Sequence, residues 1–89
     1  GPIVVEFMSF GCPHCRAMQP VLASVAAKLA GKIAVYQVSV DAEPALAASH
    51  QITGVPTFVM YQNGRIVGRA NAAPQAAGLE AALKKPFGI

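Results

Sequence analysis

Ile3-Val4-Val5-Glu6-Phe7-Met8 opens on three β-branched residues and is apolar at every position but one. A strand without polar alternation is buried on both faces, so this run predicts a central strand in a sheet covered on both sides. That requirement suits a chain that is 54% hydrophobic and 12% charged, a balance that excludes disorder. At 89 residues there is material for one core and one active site, hence a single domain over 1–89. The net charge of +3 arises from seven basic and four acidic residues spread along the chain, with Lys84-Lys85 as the only basic pair. This is too diffuse for a nucleic-acid footprint. No apolar stretch approaches the ~18 residues of a membrane span, because Ser49, His50, Gln51, Gly54 and Pro56 break the charge-free segment from Pro44 to Gly64. A soluble protein without membrane contact is expected. No signal peptide is visible, and Gly1-Pro2 is not a native start.

The remaining elements follow from periodicity. Met18, Val21, Leu22, Val25, Ala26 and Leu29 recur at steps of three and four, which predicts an amphipathic helix from Pro13 to Gly31. Pro13 suits its first turn, where the missing N–H has no helical partner. Ile33 to Val40 reads as a second strand, Pro44 to His50 as a short helix and Thr57 to Gln62 as a third strand. Asn63-Gly64 signals a hairpin into a fourth strand, Arg65 to Arg69. Ala76, Leu79, Ala82 and Leu83 form the stripe of a last helix, with Lys84 and Lys85 at its negative end and Pro86 as a stop. The order is βαβαββα. Two strands joined through a helix should be parallel, and the hairpin pair antiparallel.

Cys12-Pro13-His14-Cys15 holds both cysteines of the chain, at the junction of the first strand and first helix. Thiol-disulfide exchange needs one thiolate to attack and a second thiol to resolve the mixed disulfide. Helix positions i and i+3 have Cβ atoms roughly 5 to 6 Å apart and a disulfide needs about 3.5 to 4.5 Å, so a small adjustment closes the bond. Cys12 precedes the helix, where unpaired N–H groups and the dipole stabilise a thiolate, which makes it the expected nucleophile. Cys15, one turn inward, is the expected resolving thiol. The competing readings are a pair of reduced structural cysteines, or half of a zinc site, for which only His14 and His50 remain as further ligands.

The C-x-x-C between a buried strand and a helix, Gly54-Val55-Pro56-Thr57 downstream, and Asn63-Gly64 six residues after Thr57 together resemble the thioredoxin family from Ile3 to Leu83. The resemblance implies an α/β thioredoxin-like fold without the family's N-terminal strand and helix, leaving a four-stranded mixed sheet and three helices. It also implies reduction of protein disulfides, a flavin- and NADPH-dependent thioredoxin reductase as electron donor, a monomer, and neither cofactor nor metal on this chain. Glu6 matches the buried aspartate that thioredoxins use to exchange protons with the resolving cysteine, with Gln37 in place of the partner lysine. Glu6 is then either the general base for Cys15 or a strand-end carboxylate that reaches solvent. Val55-Pro56 matches a cis peptide bond that faces the cysteines, with the Val55 backbone pairing to an extended substrate and Thr57 beside it. Phe10, Gly11, Pro13 and Ala72 complete the expected substrate surface, and Met8 belongs either to it or to the core.

Cys-Pro-His-Cys is also similar to the centre of periplasmic disulfide oxidases of the DsbA type. His14 either stabilises the Cys12 thiolate, which makes a stronger oxidant, or is an exposed residue at a tolerant position. His50 is expected on the surface at a helix end, and Asp41 in a structural role. The main expectation is a cytoplasmic disulfide reductase. Three alternatives stand beside it: a periplasmic or secreted oxidase or isomerase, a glutathione-dependent glutaredoxin-like reductase, and a non-catalytic partner- or zinc-binding module.

Overall fold

The computed structural model describes residues 1–71 and 75–89. Its elements are β1 (Ile3–Met8), α1 (Pro13–Leu29), β2 (Ala34–Ser39), α2 (Pro44–Ser49), β3 (Thr57–Gln62), β4 (Arg65–Asn71) and α3 (Ala76–Lys84), then a 3-10 turn over Lys85–Phe87. The βαβαββα order is the expected one. Boundaries shift by one or two residues: Ile33 and Val40 fall outside β2, and β4 runs on to Asn71. Pro86 ends α3 as anticipated but sits inside the following turn, where it packs so closely over Gly68 that a Cβ there would lie 2.6 Å from its ring.

The sheet order is β2-β1-β3-β4, so the apolar β1 is interior. β1 runs parallel to β2 and antiparallel to β3, and β3 runs antiparallel to β4. Asn63 and Gly64 both have positive φ, 54° and 77°, the conformation of a type I′ hairpin. Strand alternation then assigns the faces. Val4, Phe58 and Met60 pack against Met18, Leu22, Val25 and Leu29 of α1 and Leu79 and Leu83 of α3. Phe7 and Val59 on the opposite face pack against Ala47 of α2. Both faces of β1 are therefore covered, by two helices on one side and one short helix on the other. Glu6 shares the α1 face with Val4 by the period of two.

Candidate active site

Register decides which loops meet. Phe7 pairs with Thr57 and Met8 with Ser39, so the end of β1, the start of β3 and the end of β2 lie together at one edge of the sheet. The segment entering α1 emerges there. The Ser9 hydroxyl donates to Asp41 Oδ2 at 2.6 Å, tying this segment to the turn after β2, which is a structural role for Asp41. The Cys12 N–H donates to the Ser9 carbonyl at 3.1 Å and closes the turn into the helix.

Cys12 is the N-cap of α1, with extended backbone (φ −82°, ψ 119°) and Pro13 at the first helical position. Its Sγ takes the place of the usual capping oxygen and accepts the Cys15 N–H at 3.4 Å. Its carbonyl accepts the Arg16 N–H at 3.0 Å. Both cysteines are free thiols, Cys12 half-buried and Cys15 buried at 1% exposure. Their acidities diverge accordingly. The Cys15 backbone N–H, the Cys15 thiol and the His14 backbone N–H hold Cys12 below the ordinary cysteine value. Burial pushes Cys15 up, and the neighbouring Cys12 and Glu6 charges push the same way. Iodoacetamide at neutral pH should therefore modify Cys12 well before Cys15, with a rate that titrates below the ordinary cysteine value. Mass spectrometry of the reduced protein reads the order, and equal labelling of the two sites would contradict it.

His14 is exposed, and what it directs at the Cys12 sulfur is its backbone N–H. Among the described residues no group of three or more His, Cys, Asp or Glu side chains is placed to hold a metal ion. His50 departs from expectation. It caps the end of α2 but is half-buried, its ring 5.1 Å from Phe7 and its Nδ1 2.9 Å from the Leu46 carbonyl. Its Nε2 is hydrogen-bonded to the Tyr61 hydroxyl. An imidazole with both nitrogens engaged joins α2 to β3, so this helix-end residue is partly exposed and also packed.

Glu6 is 1% exposed, which removes the solvent-reaching alternative. Burial raises its pKa, and a hydrogen bond from Gln37 partly offsets the rise. Glu6 pairs with Gln37 across β1 and β2, and Gln37 Nε2 donates to Glu6 Oε1 at 2.8 Å. The same nitrogen donates to Gln19 Oε1 of α1 at 2.8 Å. Gln19 was invisible to sequence reasoning: a glutamine on the polar flank of a helix carries no signal of its own.

The Val55-Pro56 bond is cis, with Pro56 buried and Val55 half-buried. The Thr57 hydroxyl donates to the Gly54 carbonyl at 2.6 Å, spanning this bond. Phe10 is 67% exposed, and Gly11 and Pro13 are exposed with it. A large exposed aromatic ring beside a half-buried thiol makes an apolar contact surface. Met8 is 1% exposed and belongs to the interior, not to that surface. Ala72 lies outside the described residues.

A sequence model of the thioredoxin family matches residues 1–85. A thioredoxin-like protein of Synechocystis sp. is 36% identical over 78 residues, covering 88% of this chain and 74% of that protein. The mitochondrial thioredoxin of Bos taurus is 34% identical over 87 residues, 98% of this chain and 52% of its own length. A bifunctional thioredoxin reductase/thioredoxin of Mycobacterium leprae is 31% identical over 78 residues, 88% of this chain and 17% of that protein. The chain thus spans about half of the mitochondrial relative and a smaller part of the bifunctional one. With a mixed four-stranded sheet, three α-helices and a C-x-x-C at the first helix, this chain belongs to the thioredoxin family of thiol-disulfide oxidoreductases.

Proposed function

We propose that this chain reduces disulfides in proteins by dithiol exchange, with Cys12 attacking and Cys15 resolving. The observation that carries the reading is the division of labour between the thiols: Cys12 is accessible and acidified at the helix cap, while Cys15 is buried and holds its proton more tightly. Cys12 thiolate displaces one sulfur of the substrate disulfide and forms a mixed disulfide. Cys15 then attacks Cys12 Sγ, which forms the Cys12-Cys15 disulfide and expels the second substrate sulfur as a thiolate.

Glu6 takes the Cys15 proton in that second step, directly or through one water. The raised pKa of Glu6 supports this role, because a base whose proton affinity approaches that of its partner exchanges protons readily. Phe10, Gly11 and Pro13 contact the substrate chain, and the Val55 backbone pairs with its extended segment. The buried Pro56 and the Thr57 hydroxyl bond to Gly54 fix the path of that loop.

The electron donor in this reading is a thioredoxin reductase, an activity that appears in the printed name of the Mycobacterium leprae relative. A monomer in the reducing cytoplasm suits a dithiol that is recharged in this way. No helix among the described residues is long and apolar enough to cross a membrane. The test is insulin reduction coupled to NADPH through a thioredoxin reductase. Sustained NADPH oxidation that depends on both cysteines is the expected result; a protein that consumes no NADPH yet oxidises reduced peptides would instead be an oxidase.

A further inference from the structure

Glu6 is buried on the α1 face of the sheet, hydrogen-bonded to the Gln37 amide. Gln37 belongs to the neighbouring strand: the register places it beside Glu6 on the same face, and its Nε2 reaches Glu6 Oε1 and Gln19 Oε1 at 2.8 Å each. A primary amide has two N–H donors and one carbonyl acceptor, and the two ends have nearly the same shape. Left free, the Gln37 amide turns either its N–H or its oxygen towards the carboxylate, and the oxygen repels an anion. Gln19 biases that choice towards the N–H when its carbonyl faces Gln37 Nε2. Its carbonyl takes one N–H, which leaves the other aimed at Glu6. The two glutamines also line a shallow groove of about 200 Å³ with Leu22, Ala23, Ala26 and Val35, so the amide pair stands between the buried carboxylate and the surface.

We infer that Gln19 and Gln37 are positioning residues for the proton transfer, a pair that orients one amide N–H onto Glu6 and so keeps this carboxylate able to accept the Cys15 proton. The inference rests on the reading of Glu6 as base for Cys15. In the step concerned, the Cys15 S–H proton passes to a Glu6 oxygen, the sulfur keeps the electron pair and attacks Cys12 Sγ, the bond from Cys12 Sγ to the substrate sulfur breaks and that sulfur leaves as a thiolate, and the carboxylic acid later returns its proton to water. The hydrogen bond from Gln37 favours the ionised carboxylate against the effect of burial. The other groups acting on Glu6 are the Cys15 thiol from α1 and, beside it on β3, the apolar Phe58. No cation is needed for the arrangement, since the uncharged amide supplies the donor.

The experiment is a pH titration of Glu6 in the reduced 89-residue chain carrying carboxyl-labelled glutamate, followed by NMR, with the rate of mixed-disulfide resolution measured alongside. Gln37→Met should lower the ratio of ionised to protonated Glu6 at fixed pH by about tenfold, the effect of one hydrogen bond to a charged group. Gln19→Met leaves Gln37 in place but unoriented and should lower the ratio in the same direction by about two- to threefold. Gln37→Lys should move it the opposite way, because a cation beside a carboxylate favours ionisation. A merely structural role for the pair predicts an unchanged Glu6 titration in Gln19→Met and Gln37→Met. An unshifted Glu6 titration in both Gln19→Met and Gln37→Met would overturn the inference, even if Glu6→Gln slows resolution. Shifted titrations with an unimpaired Glu6→Gln protein would remove Glu6 as the base and, with it, the proton transfer that the pair is inferred to serve.

Discussion

A Cys15→Ala protein given a protein disulfide forms one covalent adduct per chain through Cys12 and then stops. The reason is the separation of roles along the first turn of α1. Cys12 keeps its place at the helix cap, and the Cys15 backbone N–H that acidifies it is still present after truncation of the side chain. Attack is therefore preserved. What disappears is the second sulfur, the only other thiol in the chain, so the mixed disulfide has no internal route to release. Multiple turnover is lost, while the adduct is stable to electrophoresis without reductant and releases intact substrate when reductant is added. Cys12→Ser forms no adduct at all, since a serine hydroxyl does not ionise near neutral pH and the buried Cys15 is poorly placed to begin the reaction. Adduct formation through Cys15 in the Cys12→Ser protein would reverse the assignment. Restored turnover of Cys15→Ala with glutathione alone would favour the glutaredoxin-like alternative.

The placement of the two thiols was legible in the chain because it depends on local order. β1 announces burial on both faces by composition, and the cysteines announce their position at the start of the helix by spacing, so which thiol caps α1 and which lies one turn inward follow from the direction of one helix. Strand order and pairing were legible for the same reason: a helical crossover and an Asn-Gly hairpin each dictate the sense of one pair. The parts that escaped are contacts between distant segments. Gln37 looked like the loss of a lysine partner, yet it supplies the hydrogen bond to Glu6, and its amide also bonds Gln19, eighteen positions away. His50 sits between Ser49 and Gln51, a polar neighbourhood that reads as surface. Only the packing of α2 across β1 and β3 puts its ring against Phe7 and Tyr61. Met8 ends the apolar strand next to the exposed Phe10-Gly11 segment, and because β1 is buried on both faces its last side chain lies in the interior.

Replacing Glu6 with Gln should slow resolution of the mixed disulfide while making the folded protein more stable. Both effects come from one buried carboxyl. General-base catalysis contributes about 10²-fold or more when the base is well placed, so resolution near neutral pH should fall by about that factor in Glu6→Gln. The loss should shrink in alkaline solution, where Cys15 ionises without help past its own raised titration. A resolution rate equal to wild type across this range would show that Cys15 loses its proton by another path. For stability the sign follows from proton uptake. Below the ordinary glutamate value of 4.5, Glu6 is protonated in both the folded and unfolded chains, and the wild type bears no penalty for ionisation. Between that value and the raised folded value, the unfolded chain has released the proton that the folded chain retains, so wild-type stability falls as pH rises. Above the folded value the penalty is complete, because ionised Glu6 must be held in the interior. Gln carries no such charge, and its advantage in urea midpoint should be absent in acid, grow through that window and level off above it. An advantage of the same size at every pH would instead mean that the gain comes from packing. The opposite signs of the kinetic and stability effects are what separate a carboxylate retained for proton transfer from one retained for the fold, since a structural Glu6 would lose stability on replacement and leave resolution unchanged.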